Sequence, residues 1–372
     1  MTDRDRGVFA FVTGGGTGGH VYPALAIADA LVADGHDRSS IRFVGARRGL
    51  EARVVPEAGY AIELLTLDGI QRSFAPRDVL RSVRALVAFV RAFGHCVRRL
   101  RATRPAVVVG VGGYASAPCV LAACITRVPT VIHEQNAVPG LVNRIAVRLG
   151  ASAAVSFPDS PWHRSVMTGN PIRAEVAGVI RNPSEPPVLA IVGGSLGAGR
   201  LNDIGLGLYD RWRDRDDVAI RHVAGPNHVA AAQIRLEDLR RPDDRLAYTL
   251  VGFESDMAGL YQQSALLLCR AGATTIAEAA AVGIGAVYVP WSGSAGGQQV
   301  ANAQAMVRIG AGVAINDTDT DCDLDAVEPM LARLLGDRDQ LLAMGSAARS
   351  VGRPDAGARV CSLIAEVVRD AA

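Results

Sequence analysis

Lysine is missing altogether: all 39 basic residues of this 372-residue chain are arginine. No lysine is present to form a Schiff base or to act as a P-loop cation. The charge is nearly balanced, with 37 acidic residues and a formal net charge of +2, which argues against a general nucleic-acid binder. Cysteine pairs of the CxxC type are also lacking. Cys96, Cys119, Cys124, Cys269, Cys322 and Cys361 lie mostly in apolar or helical text, where cysteine acts as a small hydrophobe. Zinc and a disulfide framework are therefore not expected, and a reducing compartment is. Residues 1–6 lack the apolar core of a signal peptide. No uncharged apolar run of about 18 residues is present to span a membrane. The second half also lacks a clustered aspartate pair suited to Mg²⁺. Asp319, Asp321, Asp323 and Asp325 fall in a polar run that reads as a solvated loop, so no metal and no other cofactor is expected.

Glycine is plentiful, and its most telling group comes early: Thr13-Gly14-Gly15-Gly16-Thr17-Gly18-Gly19-His20. An apolar run, 8–12, precedes it and an alanine-rich stretch, 22–31, follows, which is the order strand, glycine loop, helix. Glycine lets the backbone turn tightly and approach a bulky ligand. The helix behind it offers N–H groups and a positive dipole end to an anion. Pro23 reads as a residue of that helix's first turn. His20, at the lip, can take a proton near neutral pH. The same loop could equally serve only to close a tight βα turn.

A chain of this length exceeds one ordinary core, and two domains of roughly 150–200 residues are expected. Up to residue 150, short β-branched runs alternate with helical text, the pattern of a parallel sheet covered by helices. Strands read at 41–45, 61–65, 107–111 and 130–132, with a short helix over 50–58. From 78 to 104, Val79, Leu80, Val83, Leu86, Val87, Val90 and Phe93 recur at helical spacing among arginines, with no acid after Asp78. Two readings are open: a basic amphipathic helix on an anionic membrane face, or a surface helix whose apolar face meets the sheet. Proline- and glycine-bearing text between 157 and 187 marks a domain boundary.

The opening pattern then returns. A strand at 188–192 leads into Gly193-Gly194-Ser195-Leu196-Gly197-Ala198-Gly199. Further strands read at 220–223, 248–251, 266–269 and 286–289, and 357–372 reads as an amphipathic helix. In open α/β sheets, ligands bind at the carboxyl ends of the strands. Gly14, Gly16 and Gly19 can be fitted to a dinucleotide fingerprint, but Gly45-Ala46-Arg47-Arg48 brings no acid for a ribose, which weighs against NAD or flavin.

Arg270-Ala271-Gly272-Ala273 follows a strand and opens a helix able to hold a diphosphate. Glu278, two turns in, can accept from a ribose diol. Gln298 and Gln299 end a strand-following loop, and amides suit sugar hydroxyls because each offers a donor and an acceptor. In chain order, these motifs resemble the MurG family, which converts lipid I to lipid II at the cytoplasmic face of the membrane in peptidoglycan synthesis. The resemblance spans nearly the whole chain. It also rests on Arg48-Gly49-Leu50-Glu51, Gly112-Gly113-Tyr114-Ala115-Ser116, His133-Glu134-Gln135-Asn136 and Thr168-Gly169-Asn170-Pro171-Ile172-Arg173.

The resemblance implies an α/β GT-B fold, two Rossmann-like domains facing a central cleft. Residues 1–165 would form the acceptor and membrane-associating domain, with helix 357–372 packing back on it. Residues 166–356 would bind the donor, UDP-N-acetylglucosamine. The implied reaction is inverting transfer of N-acetylglucosamine to the 4-hydroxyl of the muramyl sugar of lipid I, by a UDP-GlcNAc-dependent hexosyltransferase. His20 would be the base. Thr17, Gly18, Gly19, Tyr114, Glu134 and Asn136 would face the acceptor, an undecaprenyl-diphosphate-linked muramyl-pentapeptide. Arg173, Gly194, Ser195, Arg270 and Ala273 would serve the donor diphosphate, Phe253 and Glu254 the uracil, Glu278 the ribose, and Gln298 and Gln299 the sugar. The resemblance also favours anionic inner-leaflet lipids as partners of the 77–104 region, a peripheral location, contacts with other cell-wall enzymes, and a role in cell shape and division. One stretch departs from the family: its donor-sugar loop usually carries charge or histidine, whereas Ser292-Gly293-Ser294-Ala295-Gly296-Gly297 carries neither. That departure bears on the donor sugar and keeps a paralogue with another acceptor in view; the rival readings are a UDP-sugar 2-epimerase and a UDP-sugar-binding scaffold without transfer.

Overall fold

The computed structural model describes residues 7–67, 76–158, 161–162, 165–194, 197–318 and 320–371, with backbone alone for 76–82 and 295. Contacts divide the chain into two units, one made of 1–172 with 355–372 and the other of 173–354.

The first unit alternates strand and helix: β1 (Ala10–Gly14), α1 (Gly18–Ala33), β2 (Ile41–Ala46), α2 (Glu51–Glu57), β3 (Ala61–Leu65) and α3 (Pro76–Thr103). It continues with β4 (Val107–Gly112), α4 (Ala117–Thr126), β5 (Thr130–Glu134), α5 (Leu141–Arg148), β6 (Ser152–Val155) and β7 (Ser165–Met167). All pairings are parallel, in the order β3-β2-β1-β4-β5-β6-β7. Successive side chains of β1 point to opposite faces. Ala10 and Val12 pack with Val21, Ile27 and Leu31 of α1, while Phe11 packs with Cys96 and Leu100 of α3 and Cys119 of α4.

The second unit comprises α6 (Ala174–Ala177), β8 (Val188–Val192), α7 (Gly199–Trp212), β9 (Ala219–Val223), α8 (Val229–Leu239), β10 (Ala247–Val251) and α9 (Met257–Gln263). Then follow β11 (Ser264–Cys269), α10 (Ala273–Val282), β12 (Gly285–Tyr288), α11 (Gln298–Arg308), β13 (Gly312–Ala314), α12 (Leu324–Gly336) and α13 (Arg338–Val351). Its parallel sheet runs β10-β9-β8-β11-β12-β13. Counted within each unit, both sheets begin 3-2-1-4-5-6, the doubly wound order of Rossmann-like domains. In each, the order reverses beside the first strand, where the glycine loop leaves.

The last helix, α14 (Ala356–Asp370), returns to the first unit. Val360, Cys361, Leu363 and Ile364 join the core around α1, and Gly357 lets the helices approach: a Cβ there would lie 3.0 Å from that of Ala30. Three details differ from the sequence reading. The division falls after Ile172 rather than at 165/166, because Ser165–Met167 adds a seventh strand to the first sheet. Strands β6, β7 and β13 are too short and too mixed in composition to stand out. Pro23 sits in the second turn of α1, because the helix begins at Gly18.

Ile364 is buried in the α1–α14 seam. Ile364→Ala should destabilise the protein by about 2–5 kcal/mol through lost transfer free energy and a residual cavity. Urea unfolding followed by circular dichroism measures this, and an unshifted midpoint would show that α14 does not stabilise the first unit.

Candidate functional site

In the first unit, the loop after β1 can form only without side chains. A Cβ on Gly15 would overlap the Glu51 carboxylate, and Gly16 has φ of 92°. The Tyr114 ring lies over Gly16, 3.1 Å from where a Cβ would stand. Helix α1 starts at Gly18 with no acidic residue in its first turn, so its positive end is not neutralised locally. Thr17 Oγ1 and His20 Nδ1 are 3.1 Å apart. The imidazole lies along Gly112 and Gly113, which have φ of 88° and 80°. A Cβ on Gly112 would come within 3.2 Å of His20 Cδ2. Burial lowers the His20 pKa from 6.5 to about 4, so the ring is neutral at neutral pH.

The expected acceptor residues part company here. Tyr114 is exposed. The Glu134 carboxylate is buried, and its oxygens are occupied by the loop that follows. Oε1 accepts from the Asn136 backbone N–H (3.0 Å) and side-chain amide (3.3 Å); Oε2 accepts from Gly140 N–H and Asn143 Nδ2, each at 2.9 Å. What Glu134 offers a ligand is thus the shape of the loop carrying Asn136. Asn143, which sequence reasoning missed, has its amide 3.6 Å from where a Cβ on Gly112 would stand.

In the second unit, β8, β11 and β12 are neighbours, and the helices beyond their carboxyl ends, α7, α10 and α11, all start without an acidic residue. Three positive helix ends therefore belong to one edge of one sheet. Gly194 has φ of 88° with open space where a side chain would be. Gly197 has φ of 80°, and a Cβ there would overlap the Ala224 carbonyl. Ser195 lies outside the described residues. Behind the loop, Asn202 Nδ2 donates to Ala224 O (3.1 Å), His222 Nε2 pairs with Asn202 Oδ1 (2.9 Å), and His222 Nδ1 with the Tyr248 hydroxyl (2.7 Å).

Arg270 donates to Val289 O and pairs with Asp317 Oδ2, both at 2.9 Å; Arg200, at the start of α7, reaches the other oxygen of Asp317 at 3.4 Å. Asp317 was missed because it opens a run whose composition reads as a solvated loop. Ala273 is the first residue of α10. Glu278 is buried: Arg173 Nε and NH2 reach Oε1 at 2.9 and 2.8 Å, and the Tyr261 hydroxyl donates to Oε2 at 2.9 Å. Burial holds this carboxyl above its ordinary pKa, against the pull of the guanidinium. Phe253 is exposed; Glu254 is buried and accepts from Arg221 Nε (3.1 Å) and Asp256 N–H (3.1 Å). Gln299 Oε1 accepts from Trp291 N–H (2.9 Å), and its own N–H donates to Ser294 Oγ (3.2 Å), so its carbonyl is spent on the uncharged loop. Asn302 donates to Ala271 O at 3.2 Å. Among the described residues, no group of three His, Cys, Asp or Glu side chains is placed to hold a metal ion.

Helix α3 has apolar side chains on two sides over its described residues. Ala85, Ala92, Cys96 and Leu100 face inward, and Val83, Leu86, Val87 and Val90 are exposed, Leu86 at 61%. Phe93 and Val97, partly buried, pack on the same core as Cys96 and Leu100, so the helix is apolar on both its inner and its outer side.

Two family models match: the N-terminal domain of glycosyltransferase family 28 over residues 10–155 and its C-terminal domain over 188–360. Among curated relatives, the chain is 39% identical over 367 residues to the UDP-N-acetylglucosamine--N-acetylmuramyl-(pentapeptide) pyrophosphoryl-undecaprenol N-acetylglucosamine transferase of Halorhodospira halophila, covering 96% of this chain and 97% of that one. It is 36% identical over 356 residues to the protein of the same name from Syntrophotalea carbinolica, covering 94% and 96%. The crystal structure of MurG from Acinetobacter baumannii superposes with a TM-score of 0.75 at 29% identity, covering 96% of this chain and 99% of that one. The calicheamicin glycosyltransferase CalG4, at 16% identity and a TM-score of 0.64, over 97% and 98% of the two chains, shares the fold.

Two histidines give a pH test. His133, whose Nε2 faces Gly169 O at 2.9 Å, and His222 are buried, and burial lowers each pKa from 6.5 to about 4. Below pH 6.5 the unfolded chain takes up protons that the folded chain refuses until about pH 4. Their stabilisation is complete above pH 6.5 and is lost as pH falls toward 4. Stability from urea titrations should fall between pH 7 and 5, by up to about 1.4 kcal/mol per pH unit for each histidine. A flat profile would contradict their neutral burial.

Proposed function

The chain belongs to the MurG family within glycosyltransferase family 28, and we propose that it transfers N-acetylglucosamine from UDP-N-acetylglucosamine to the 4-hydroxyl of the muramyl sugar of lipid I, giving lipid II. The observation that carries the chemistry is the neutral imidazole of His20, tethered at Nδ1 beside a helix N-terminus suited to an anion. With Nδ1–H donating to Thr17 Oγ1, Nε2 keeps its lone pair and can act as a base. The acceptor oxygen attacks the anomeric carbon and its proton passes to Nε2. The bond from that carbon to the diphosphate oxygen breaks, UDP leaves with the electron pair, and the α-linkage becomes β.

In the first unit, Thr17, Gly18, Gly19 and the positive end of α1 take the acceptor's diphosphate, and Tyr114 and Asn136 face its sugar, with Glu134 shaping the loop. In the second, Gly194, Ser195, Ala273 and Arg270 serve the donor diphosphate at the starts of α7 and α10. The backbone at Phe253 and Glu254 reads uracil. Arg173 and Glu278 act as one unit beside the ribose and diphosphate, because their salt bridge already joins them. Gln298 and the free amide hydrogens of Gln299 serve the sugar hydroxyls. No metal or other cofactor takes part. The outward face of α3, with Val83, Leu86, Val87 and Val90 among arginines, docks on anionic lipids at the cytoplasmic face of the membrane. Among the described residues, no helix is long and apolar enough to cross a membrane.

With radiolabelled UDP-N-acetylglucosamine and a short-chain lipid I analogue, transfer should be unaffected by EDTA. His20→Ala should lower kcat by about 10²–10⁴-fold while leaving donor affinity intact. Unchanged turnover would remove His20 as the base. Sugar-nucleotide conversion without acceptor would favour an epimerase, and donor binding without transfer a scaffold. The double variant Leu86→Asp with Val90→Asp should lose co-sedimentation with phosphatidylglycerol vesicles yet keep activity on a water-soluble acceptor. Undiminished sedimentation would contradict the docking face.

A further inference from the structure

Glu51 closes the Arg48-Gly49-Leu50-Glu51 motif, and no role above uses it. Its side chain is 1% exposed, although a lone carboxylate at the start of a surface helix normally reaches solvent. Its two oxygens accept backbone N–H groups from separate segments. Oε1 accepts from Ala46, the last residue of β2, at 2.9 Å, and Oε2 accepts from Gly16, in the middle of the first glycine loop, also at 2.9 Å. The space it fills is left by glycines alone, because a Cβ on Gly15, Gly45 or Gly49 would run into this side chain. From above, the loop meets Gly113, where a Cβ would overlap the Gly15 carbonyl, and the Tyr114 ring over Gly16. The loop is therefore clamped from two sides, with the carboxylate as the lower jaw.

We propose that Glu51 is the positioning residue of the first glycine loop: by holding the Gly16 N–H it fixes Thr17, and through Thr17 the orientation of His20. The inference rests on the transferase reading for its catalytic consequence, but not for its structural content. Gly16 is followed directly by Thr17, whose hydroxyl meets His20 Nδ1 at 3.1 Å. The carboxylate uses up one loop N–H, so the lipid-linked diphosphate is left with those further along, at the start of α1. Two acceptor oxygens are needed, because the donors come from two segments. A glutamine supplies one acceptor and turns an NH₂ group toward the other N–H.

The test compares wild type with Glu51→Gln and Glu51→Asp, the latter too short to reach both donors. Amide NMR of ¹⁵N-labelled protein should show the wild-type Gly16 N–H exchanging slowly. In Glu51→Gln, exchange should accelerate and the His20 ring resonances should move. In the transfer assay, run well below the melting temperature and normalised to folded protein, kcat should fall by about 100-fold, the scale of an ångström of misplacement. The KM for UDP-N-acetylglucosamine should not change, because the donor residues belong to the other unit. Wild-type His20 resonances and kcat in Glu51→Gln, with only a lowered melting temperature, would overturn the proposal. A wild type that transfers nothing to lipid I, yet whose Gly16 and His20 signals respond to Glu51→Gln, would retire the transferase reading and uphold the loop assignment.

Discussion

Both glycine loops depend on close backbone approach that any side chain would prevent. Gly15 lies against the Glu51 carboxylate, Gly113 against the Gly15 carbonyl, and Gly197 against the Ala224 carbonyl. Each contact brings a loop down onto its sheet where the strand order reverses, so that a helix N-terminus emerges at the carboxyl end of the strands. That placement leaves each helix N-terminus open to an anion. Neither α1 nor α7 carries an acidic residue in its first turn that would cancel the dipole.

The two units solve the same problem differently. The first backs its loop with a carboxylate and leaves the nearby histidine half-buried and neutral. The second backs its loop with the Asn202–His222–Tyr248 chain, in which a neutral imidazole donates at one nitrogen and accepts at the other. It adds arginines, Arg270 and Arg200 on Asp317 and Arg173 on Glu278. A second unit rich in paired guanidinium groups suits a diphosphate that must leave with an extra charge. A first unit with a neutral imidazole tethered at Nδ1 suits a hydroxyl that must lose a proton.

Much of this was legible in the residues. Strands 61–65 and 188–192 read to the residue, the second because a Val/Ile-rich run between Pro187 and Gly193 has few other solutions. The glycine loops were legible because glycine at that density has a steric cause. The partners of polar atoms were not. Glu134, Glu278 and Gln299 look like ligand contacts by type, but each uses oxygen atoms to hold its own loop or a neighbouring arginine, and no periodicity encodes that. Glu51 is visible as part of a motif, while its burial depends on Gly15, 36 residues away, as well as on the nearby Gly45 and Gly49. Helix α3 is ambiguous from sequence because it is apolar on two sides, with Ala92, Cys96 and Leu100 inward and Val83, Leu86, Val87 and Val90 outward.

The proposed reaction is a single direct displacement at the anomeric carbon, with the proton going to His20. The stereochemistry of the product tests it most directly. NMR of the disaccharide formed from UDP-N-acetylglucosamine and a lipid I analogue should show a β-linkage to the muramyl 4-hydroxyl, the inverse of the donor's α configuration. An α-linked product would require two displacements or a front-face path, and would contradict the mechanism assigned to these two loops.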